Sequence, residues 1–157
     1  MNFKFTKDDV VILDFDNTIW IWRRDYISDP NREDLTLKRL RGESTYTNES
    51  GFIPDFMKDL LLHLKDNDVV TYVLSACDTS VEFLEKSSLL QRRFNLPATK
   101  VLGVSTADYK VVVIESLKRL NPGKNFILID DRLDTLKECK SRLGITVMQP
   151  LELLDNN

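Results

Sequence analysis

The chain has 157 residues, of which 42% are hydrophobic and 30% charged, and its net charge is −3. These values are ordinary for a globular protein and argue against a large basic surface for nucleic acid. No window is long and apolar enough to span a membrane, and the opening residues MNFKFTKDDV lack the apolar core of a secretory signal. We therefore expect no membrane partner. Cys77 and Cys139 are too few for a disulfide framework, so we also expect a reducing, cytoplasmic setting.

Short apolar runs predict buried strands along most of the chain. They are Val10–Phe15, Val69–Leu74, Lys100–Val104, Phe126–Ile129 and Ile145–Met148. Each run is predominantly apolar instead of alternating regularly with polar residues. This pattern is typical of parallel strands that are covered on both faces.

Segments with helical signals separate these runs. The first begins near Pro54, the second follows a Thr79 cap, the third runs from about Tyr109 to Leu120, and the last runs from about Leu133 to Leu143 before Gly144. We expect the inner face of the second helix to include Phe83, Leu84 and Leu90. Alternation of strands and helices predicts one domain over residues 1–157, a three-layer α/β sandwich with a mostly parallel, Rossmann-like sheet.

The segment from about residue 19 to residue 51 breaks this alternation, because it is polar and shows no clear helix or buried strand. Loops of this length are usually functional or disordered, so we expect a flap followed by a polar insert. Trp20, Trp22 and Tyr26 could stack on a substrate ring or form a local cluster that holds the flap down. Six basic and six acidic residues between positions 21 and 50 cancel, which gives only weak support for a nucleic-acid partner.

Polar side chains follow four of the predicted strands, at the edge of the sheet where ligands of open α/β folds bind. In chain order they are Asp14, Asp16 and Thr18, then Ser75, then Lys110, and finally Asp130, Asp131 and Asp134. Carboxylate clusters that face one another require a cation between them, and a set of oxygen ligands selects Mg²⁺. A nearby lysine and serine can hold an anion against that cation.

Each of these features also has a plainer interpretation when taken alone. Aspartate and asparagine after a strand are common turn formers, an Asp-Asp pair can cap a helix, and Ser75 can be structural. The order of the four features is what carries the prediction. Four such features would seldom occur in this order by chance.

The ordered set resembles the motifs of the haloacid-dehalogenase superfamily of phosphotransferases. Its first motif is matched by VVILDFDNT, its second by YVLS, its third by Lys110 and its fourth by ILIDD, and the resemblance spans about residues 8 to 149. The stretches TIW and FIPDFMKDLLLHL are similar to small capless magnesium-dependent phosphatases. Residues 31 to 51 depart from that pattern, so the resemblance gives no substrate.

The resemblance implies a Mg²⁺-dependent phosphomonoester hydrolase that acts on a phosphorylated small molecule or phosphoprotein. Asp14 would be the nucleophile and would form an aspartyl-phosphate, while Asp16 would protonate the leaving oxygen and then deprotonate water. Thr18 would restrain Asp16 and the turn. Mg²⁺ would be held by Asp14, the backbone carbonyl of Asp16, and Asp131.

The remaining motif residues would bind phosphate or support the metal. Ser75 and Lys110 would hold the phosphoryl oxygens. Asp130 would be either a second metal ligand or an outer partner of the site. Asp134 would orient a water or Lys110.

Three other classes of protein fit these residues less well. A receiver domain places its lysine after its acids, whereas Lys110 precedes Asp130; NPGKN does not form a phosphate-binding loop, and no glycine follows DFDNT as a calcium loop needs. A catalytically silent binding module of the same fold and a phosphatase for nucleic-acid 3′ ends remain as alternatives. The sequence carries no signal for an oligomeric state.

Overall fold

The computed structural model describes residues 1–155 and has a parallel sheet at its centre. The strands are β1 (Asp9–Leu13), β2 (Ile21–Trp22), β3 (Gly51–Phe52), β4 (Val70–Ala76), β5 (Val101–Val104), β6 (Asn125–Ile129) and β7 (Thr146–Met148). Five of them form one sheet in the order β5-β4-β1-β6-β7, and every neighbouring pair is parallel. The chain therefore winds outward from β1 in both directions, as in Rossmann-like sheets.

Helices cover both faces of this sheet. They are α1 (Arg24–Ile27), α2 (Leu35–Leu40), α3 (Asp55–Asp66), α4 (Ser80–Phe94), α5 (Lys110–Leu120), α6 (Leu133–Leu143) and α7 (Glu152–Asp155), with short 3₁₀ turns at Ala98–Lys100 and Ala107–Tyr109. Within residues 1–155, none of these helices has the length and apolar character needed to cross a membrane.

The two sides of β1 belong to separate cores. Val11 and Leu13 pack in a cluster with residues of α3 and α4, whereas Val10 and Ile12 pack in a second cluster with residues of α5 and α6. Because side chains alternate across a strand, a strand covered on both faces must be apolar at every position. The prediction of a three-layer α/β sandwich is confirmed.

The predicted elements are close to the observed ones, with two corrections. The expectation that residues 19–51 lack regular structure is wrong, because they contain α1, α2 and the antiparallel pair β2–β3. These elements are too short to give a recognisable period in the sequence. Leu84 is exposed instead of lying on the inner face of α4, where Leu89 and Leu90 are buried.

The insert, defined as Ile19–Gly51, is anchored by aromatic packing. Trp20 is buried, and its indole lies 5.2 Å from the ring of Tyr46 and 6.1 Å from that of Trp22. Trp22 in turn stacks on Tyr26 at 6.3 Å. These aromatic side chains form the local cluster that was one of their two predicted roles. Gly51 is required at its position because a side chain there would clash with the Trp20 indole.

Candidate active site

The site begins in a tight turn directly after β1. The Asp14 amide still donates to the carbonyl of Ile129, 2.9 Å away, and so belongs to the sheet edge. The carbonyl of Phe15 then accepts from the amide of Trp20 at 3.0 Å. Asn17 adopts a left-handed conformation with φ of 58°, which asparagine tolerates better than most residues. The turn keeps Asp14 and Asp16 at the carboxyl edge of the sheet.

Three carboxylates and one ammonium group meet at this edge. One oxygen from each of Asp14, Asp130 and Asp131 lies within 4.8 Å of the others. Lys110, at the start of α5, places its Nζ 2.8 Å from an oxygen of Asp14 and 2.8 Å from an oxygen of Asp130. When these groups are ionised, the three acids and one lysine carry a net charge of −2. That charge is matched by a divalent cation.

The pKa values of these groups are displaced from their ordinary range. Burial raises the pKa of Asp14 to about 8, and the charge of Asp130 adds to the effect, while Lys110 opposes it. Burial also raises the pKa of Asp131, whose carboxyl lies against that of Asp14. Burial alone would lower the pKa of Lys110, but Asp14 and Asp130 raise it above its ordinary value. A cation at the carboxylates would favour their ionised forms.

The donor set fits Mg²⁺, which prefers oxygen ligands and keeps part of its water shell. Asp14 and Asp131 have carboxyl oxygens in the group. Asp130 uses one oxygen for Lys110 and the other for the amide of Arg132, 3.0 Å away. Asp131 is therefore the better candidate for a metal ligand, and Asp130 is the better candidate for holding Lys110.

A second buried cation adjoins the acidic group and was not predicted from the sequence. The Nζ atom of Lys86, on α4, lies 2.7 Å from an oxygen of Asp16, 2.8 Å from Ser75 Oγ and 3.2 Å from the carbonyl of Ala76. Its side chain is almost completely buried. Burial would lower the pKa of Lys86, but the Asp16 carboxylate helps to raise it above its ordinary value. The sequence signal was a lysine on the same helical stripe as Leu89 and Leu90.

Asp16 is held on both of its carboxyl oxygens. Lys86 binds one of them, and the indole nitrogen of Trp22 donates to the other at 2.9 Å. The structure thus assigns Trp22 a contact that the sequence did not predict. The hydroxyl of Thr18 donates to Asp14 at 3.4 Å, whereas its predicted role was to restrain Asp16 and the turn.

The structure brings most of the predicted residues together and leaves one outside. Ser75 is linked to the site because its Oγ accepts a hydrogen bond from Lys86. Its predicted contact with phosphate stays a prediction. Asp134 is exposed, and its carboxylate accepts from Arg132 at 2.8 Å. It does not contact Lys110. Asp134 lies in the first turn of α6, and its carboxylate accepts from the Arg132 guanidinium and from the amide of Thr135.

No protein-family model and no curated protein matches the sequence. Several solved structures, however, are similar to the fold of this chain. The chain is similar to DsGPDH of Dunaliella salina (18% identity, TM-score 0.56, 88% of this chain and 22% of that one). It is also similar to a haloacid-dehalogenase-like protein from Burkholderia xenovorans LB400 (17%, 0.55, 90% and 80%).

A third similar structure is the N-terminal part of a Bacteroides fragilis protein, which contains a phosphatase domain complexed with Mg (18% identity, TM-score 0.55, 97% of this chain and 40% of that one). The chain thus spans about a fifth of the Dunaliella protein and less than half of the Bacteroides chain. At this level of identity the likeness concerns the fold. The sheet order, the helices on its two faces and these similar structures show that the chain has the haloacid-dehalogenase-like fold.

Proposed function

We propose that the protein is a Mg²⁺-dependent phosphomonoester hydrolase that acts through an aspartyl-phosphate on Asp14. The observation that carries the proposal is the group of Asp14, Asp130 and Asp131 around Lys110, whose net charge is −2 when all four groups are ionised. A phosphate monoester is itself an anion, so it can approach such a group only when a cation offsets the carboxylates. The fold and the magnesium-bound phosphatase domain with a similar structure support the same conclusion.

The proposed reaction has two displacements at phosphorus. An oxygen of Asp14 attacks the phosphoryl group, the bond from phosphorus to the leaving oxygen breaks, and Asp16 gives that oxygen a proton. Water then attacks the aspartyl-phosphate, Asp16 takes a proton from the water, and inorganic phosphate leaves with Asp14 restored. Bound Mg²⁺, held by Asp14, the Asp16 carbonyl and Asp131, would supply charge stabilisation for the transferring phosphoryl group.

Two lysines support this chemistry in different ways. Lys110 has three N–H donors and uses two of them on Asp14 and Asp130, which leaves one for a phosphoryl oxygen. Ser75 would contact the same group from the neighbouring strand. Lys86 is too deeply buried to reach substrate, so we assign it a positioning role, in which it fixes the Asp16 carboxylate.

Two finer assignments belong to the same proposal. We propose that the chain is of the capless type, because the insert after β1 consists of the two short helices α1 and α2 and strands of two residues each. Cys77 and Cys139 are both free, which agrees with the reducing environment of a cytoplasmic protein.

The first test is hydrolysis of p-nitrophenyl phosphate by the wild type and by Asp14→Asn, each with Mg²⁺ and with EDTA. We expect turnover that requires Mg²⁺ and is lost in Asp14→Asn, while the matched variant Asp59→Asn, at an exposed position of α3, retains it. Turnover that survives Asp14→Asn would overturn the mechanism. Absence of turnover with any phosphate ester would favour a silent binding module.

A second test looks for the covalent intermediate. Brief incubation of Asp16→Asn with p-nitrophenyl phosphate and Mg²⁺ should leave a phosphoryl group on the peptide that contains Asp14, because this leaving group needs no proton from Asp16 whereas hydrolysis of the aspartyl-phosphate is slowed without the base. Mass spectrometry after acid quench measures this adduct. Phosphate found on another residue would contradict the assignment of the nucleophile.

Two arginines of the insert have glutamate partners, which weakens the case for nucleic-acid 3′ ends as substrates. Arg39 and Arg41, two of the basic residues of the insert, are paired with glutamates: Arg39 with Glu82 at 3.1 Å, and Arg41 with Glu43 at 3.0 Å. Their charges are therefore largely offset. Competition by 3′-phosphorylated oligonucleotides in the p-nitrophenyl phosphate assay should be weak.

A further inference from the structure

The carboxylate of Asp16 is held by two nitrogen donors that come from different parts of the fold. Nε1 of Trp22, on β2, lies 2.9 Å from Oδ1, and Nζ of Lys86, on α4, lies 2.7 Å from Oδ2. A single contact would leave the carboxylate free to turn about its last torsion, which has a broad energy profile in aspartate. Two contacts on separate oxygens fix the plane of the group. Trp22 therefore supplies the second of the two constraints that orient Asp16.

The indole of Trp22 is itself fixed by its neighbours. It stacks on Tyr26 with an interplanar angle of 11°, and its centroid lies 5.3 Å from that of the Tyr46 ring. Its backbone is paired with Gly51 in the β2–β3 hairpin. Large side chains that are packed in this way keep a single rotamer. The indole N–H is therefore a donor in a fixed position, and the carboxylate of Asp16 is oriented by it.

Both partners of the Asp16 carboxyl group are donors that cannot accept a hydrogen bond. An indole N–H only donates, and an ammonium group has three donors and no acceptor. When Asp16 carries a proton, neither Trp22 nor Lys86 can accept a hydrogen bond from it. The Asp16 side chain is 36% exposed, so an oxygen of a substrate can reach it. The arrangement therefore suits a carboxylic acid that gives its proton to a leaving oxygen.

We propose that Trp22 is a positioning residue for the acid–base step, in which its N–H orients the Asp16 carboxyl group toward the leaving oxygen. The inference rests on the proposed function and adds a residue to it. Trp22 donates to Asp16 and does not exchange a proton with the substrate.

Trp20 offers a matched comparison for Trp22. It lies in the same aromatic cluster, with its ring 6.1 Å from that of Trp22. Its Nε1 is buried and has no hydrogen-bond partner within residues 1–155. The same chemical change at the two positions therefore separates the hydrogen bond to Asp16 from the packing of the rings.

The test replaces Trp22 and, separately, Trp20 by benzothienylalanine, in which sulfur stands where the indole has its N–H and the two fused rings are kept. It measures kcat/KM for phenyl phosphate, whose leaving oxygen needs a proton, and for p-nitrophenyl phosphate, whose leaving group does not. Acid–base catalysis contributes about 10²–10⁴, and Asp16 keeps its contact with Lys86. We therefore expect the analogue at position 22 to lose about tenfold on phenyl phosphate and less than about twofold on p-nitrophenyl phosphate.

Two further variants complete the comparison. With the analogue at position 20, only packing changes, so the ratio of the two kcat/KM values should stay within about twofold of the wild-type ratio. Trp22→Phe keeps a ring against Tyr26 but removes the N–H, and it should change the ratio in the same direction as the analogue at position 22.

The outcomes separate this inference from the function on which it rests. An unchanged ratio at position 22 overturns the inference, whether both esters keep their kcat/KM or lose it equally. Equal changes of the ratio at positions 20 and 22 also overturn it, because they would arise from the aromatic cluster as a whole. In both cases wild-type turnover that requires Mg²⁺ and Asp14 leaves the proposed function in place. No hydrolysis of either ester by the wild type overturns the proposed function and the inference with it.

Discussion

Replacement of Lys86 by methionine tests whether a residue that never touches substrate controls the acid–base step. Methionine keeps a flexible side chain of similar length and removes the ammonium group from Asp16 and Ser75, which it contacts at 2.7 and 2.8 Å. Asp16 would then keep one of its two protein contacts, the indole of Trp22. We expect its carboxylate to lose its fixed orientation.

The magnitude follows from the surroundings of Lys86. Breaking a buried ion pair usually costs about 3–5 kcal/mol because the remaining charge stays buried. Here the Asp16 side chain is 36% exposed and Glu82 keeps Arg39 as a partner, so the loss of unfolding free energy should lie near the lower end, about 3 kcal/mol. Acid–base catalysis contributes about 10²–10⁴, and a misplaced Asp16 should forfeit part of it, about 10- to 100-fold in kcat.

The assay measures kcat and KM for an alkyl phosphate and for p-nitrophenyl phosphate. An alkoxide needs protonation as it leaves, whereas p-nitrophenolate does not, so the loss in kcat should be larger for the alkyl ester while KM changes little. Lys58→Met is the control, because Lys58 pairs with Asp55 on the exposed surface of α3. Equal losses on both esters, or unchanged kcat in a stably folded variant, would refute the positioning role.

Three further predictions concern the metal, the insert and the acidic pair. Because the pKa of Asp14 is raised to about 8, the metal-free protein should lose stability as the pH rises from about 4 to about 8. The increase in Tm with Mg²⁺ should therefore be larger at about pH 8.5 than at about pH 6. Equal increases in Tm at the two pH values would contradict the raised pKa of Asp14. Gly51→Ala should lower the unfolding free energy by about 1–3 kcal/mol through its clash with Trp20, measured by urea denaturation, and an unchanged midpoint would count against that packing. Asp131→Asn should weaken Mg²⁺ binding in calorimetry by about tenfold or more, whereas Asp134→Asn should not; similar losses in both would place Asp134 in the site after all.

The sheet was predictable because its strands are covered on both faces. An apolar run such as residues 10–13 fits a strand of this kind, and turn-forming residues mark its end. The observed β1 ends at Leu13, two residues before the predicted strand does. Phe15 lies in the turn but is buried against the ring of Tyr46 at 5.1 Å, so its apolar character reflects packing outside the sheet.

The parts of the site that escaped prediction depend on contacts between distant residues. Lys86 meets Asp16 across 70 positions of sequence, and no local pattern announces such a pairing. The Trp22 indole reaches Asp16 only because the turn after β1 and the hairpin bring them together. Asp134 was misleading because it follows the acidic pair closely in sequence, whereas its exposed carboxylate is paired with Arg132.

The insert is tied to the acid–base residue through a chain of buried and partly buried charges. Arg39, on α2 within the insert, pairs with Glu82 of α4 at 3.1 Å, and Glu82 lies 3.4 Å from Nζ of Lys86, which holds Asp16. Each of these ions needs its neighbour, because a buried charge without a partner is costly. Displacement of α2 would leave Glu82 short of a partner and would draw Lys86 away from Asp16. The insert should therefore be regarded as part of the scaffold that positions the acid–base residue.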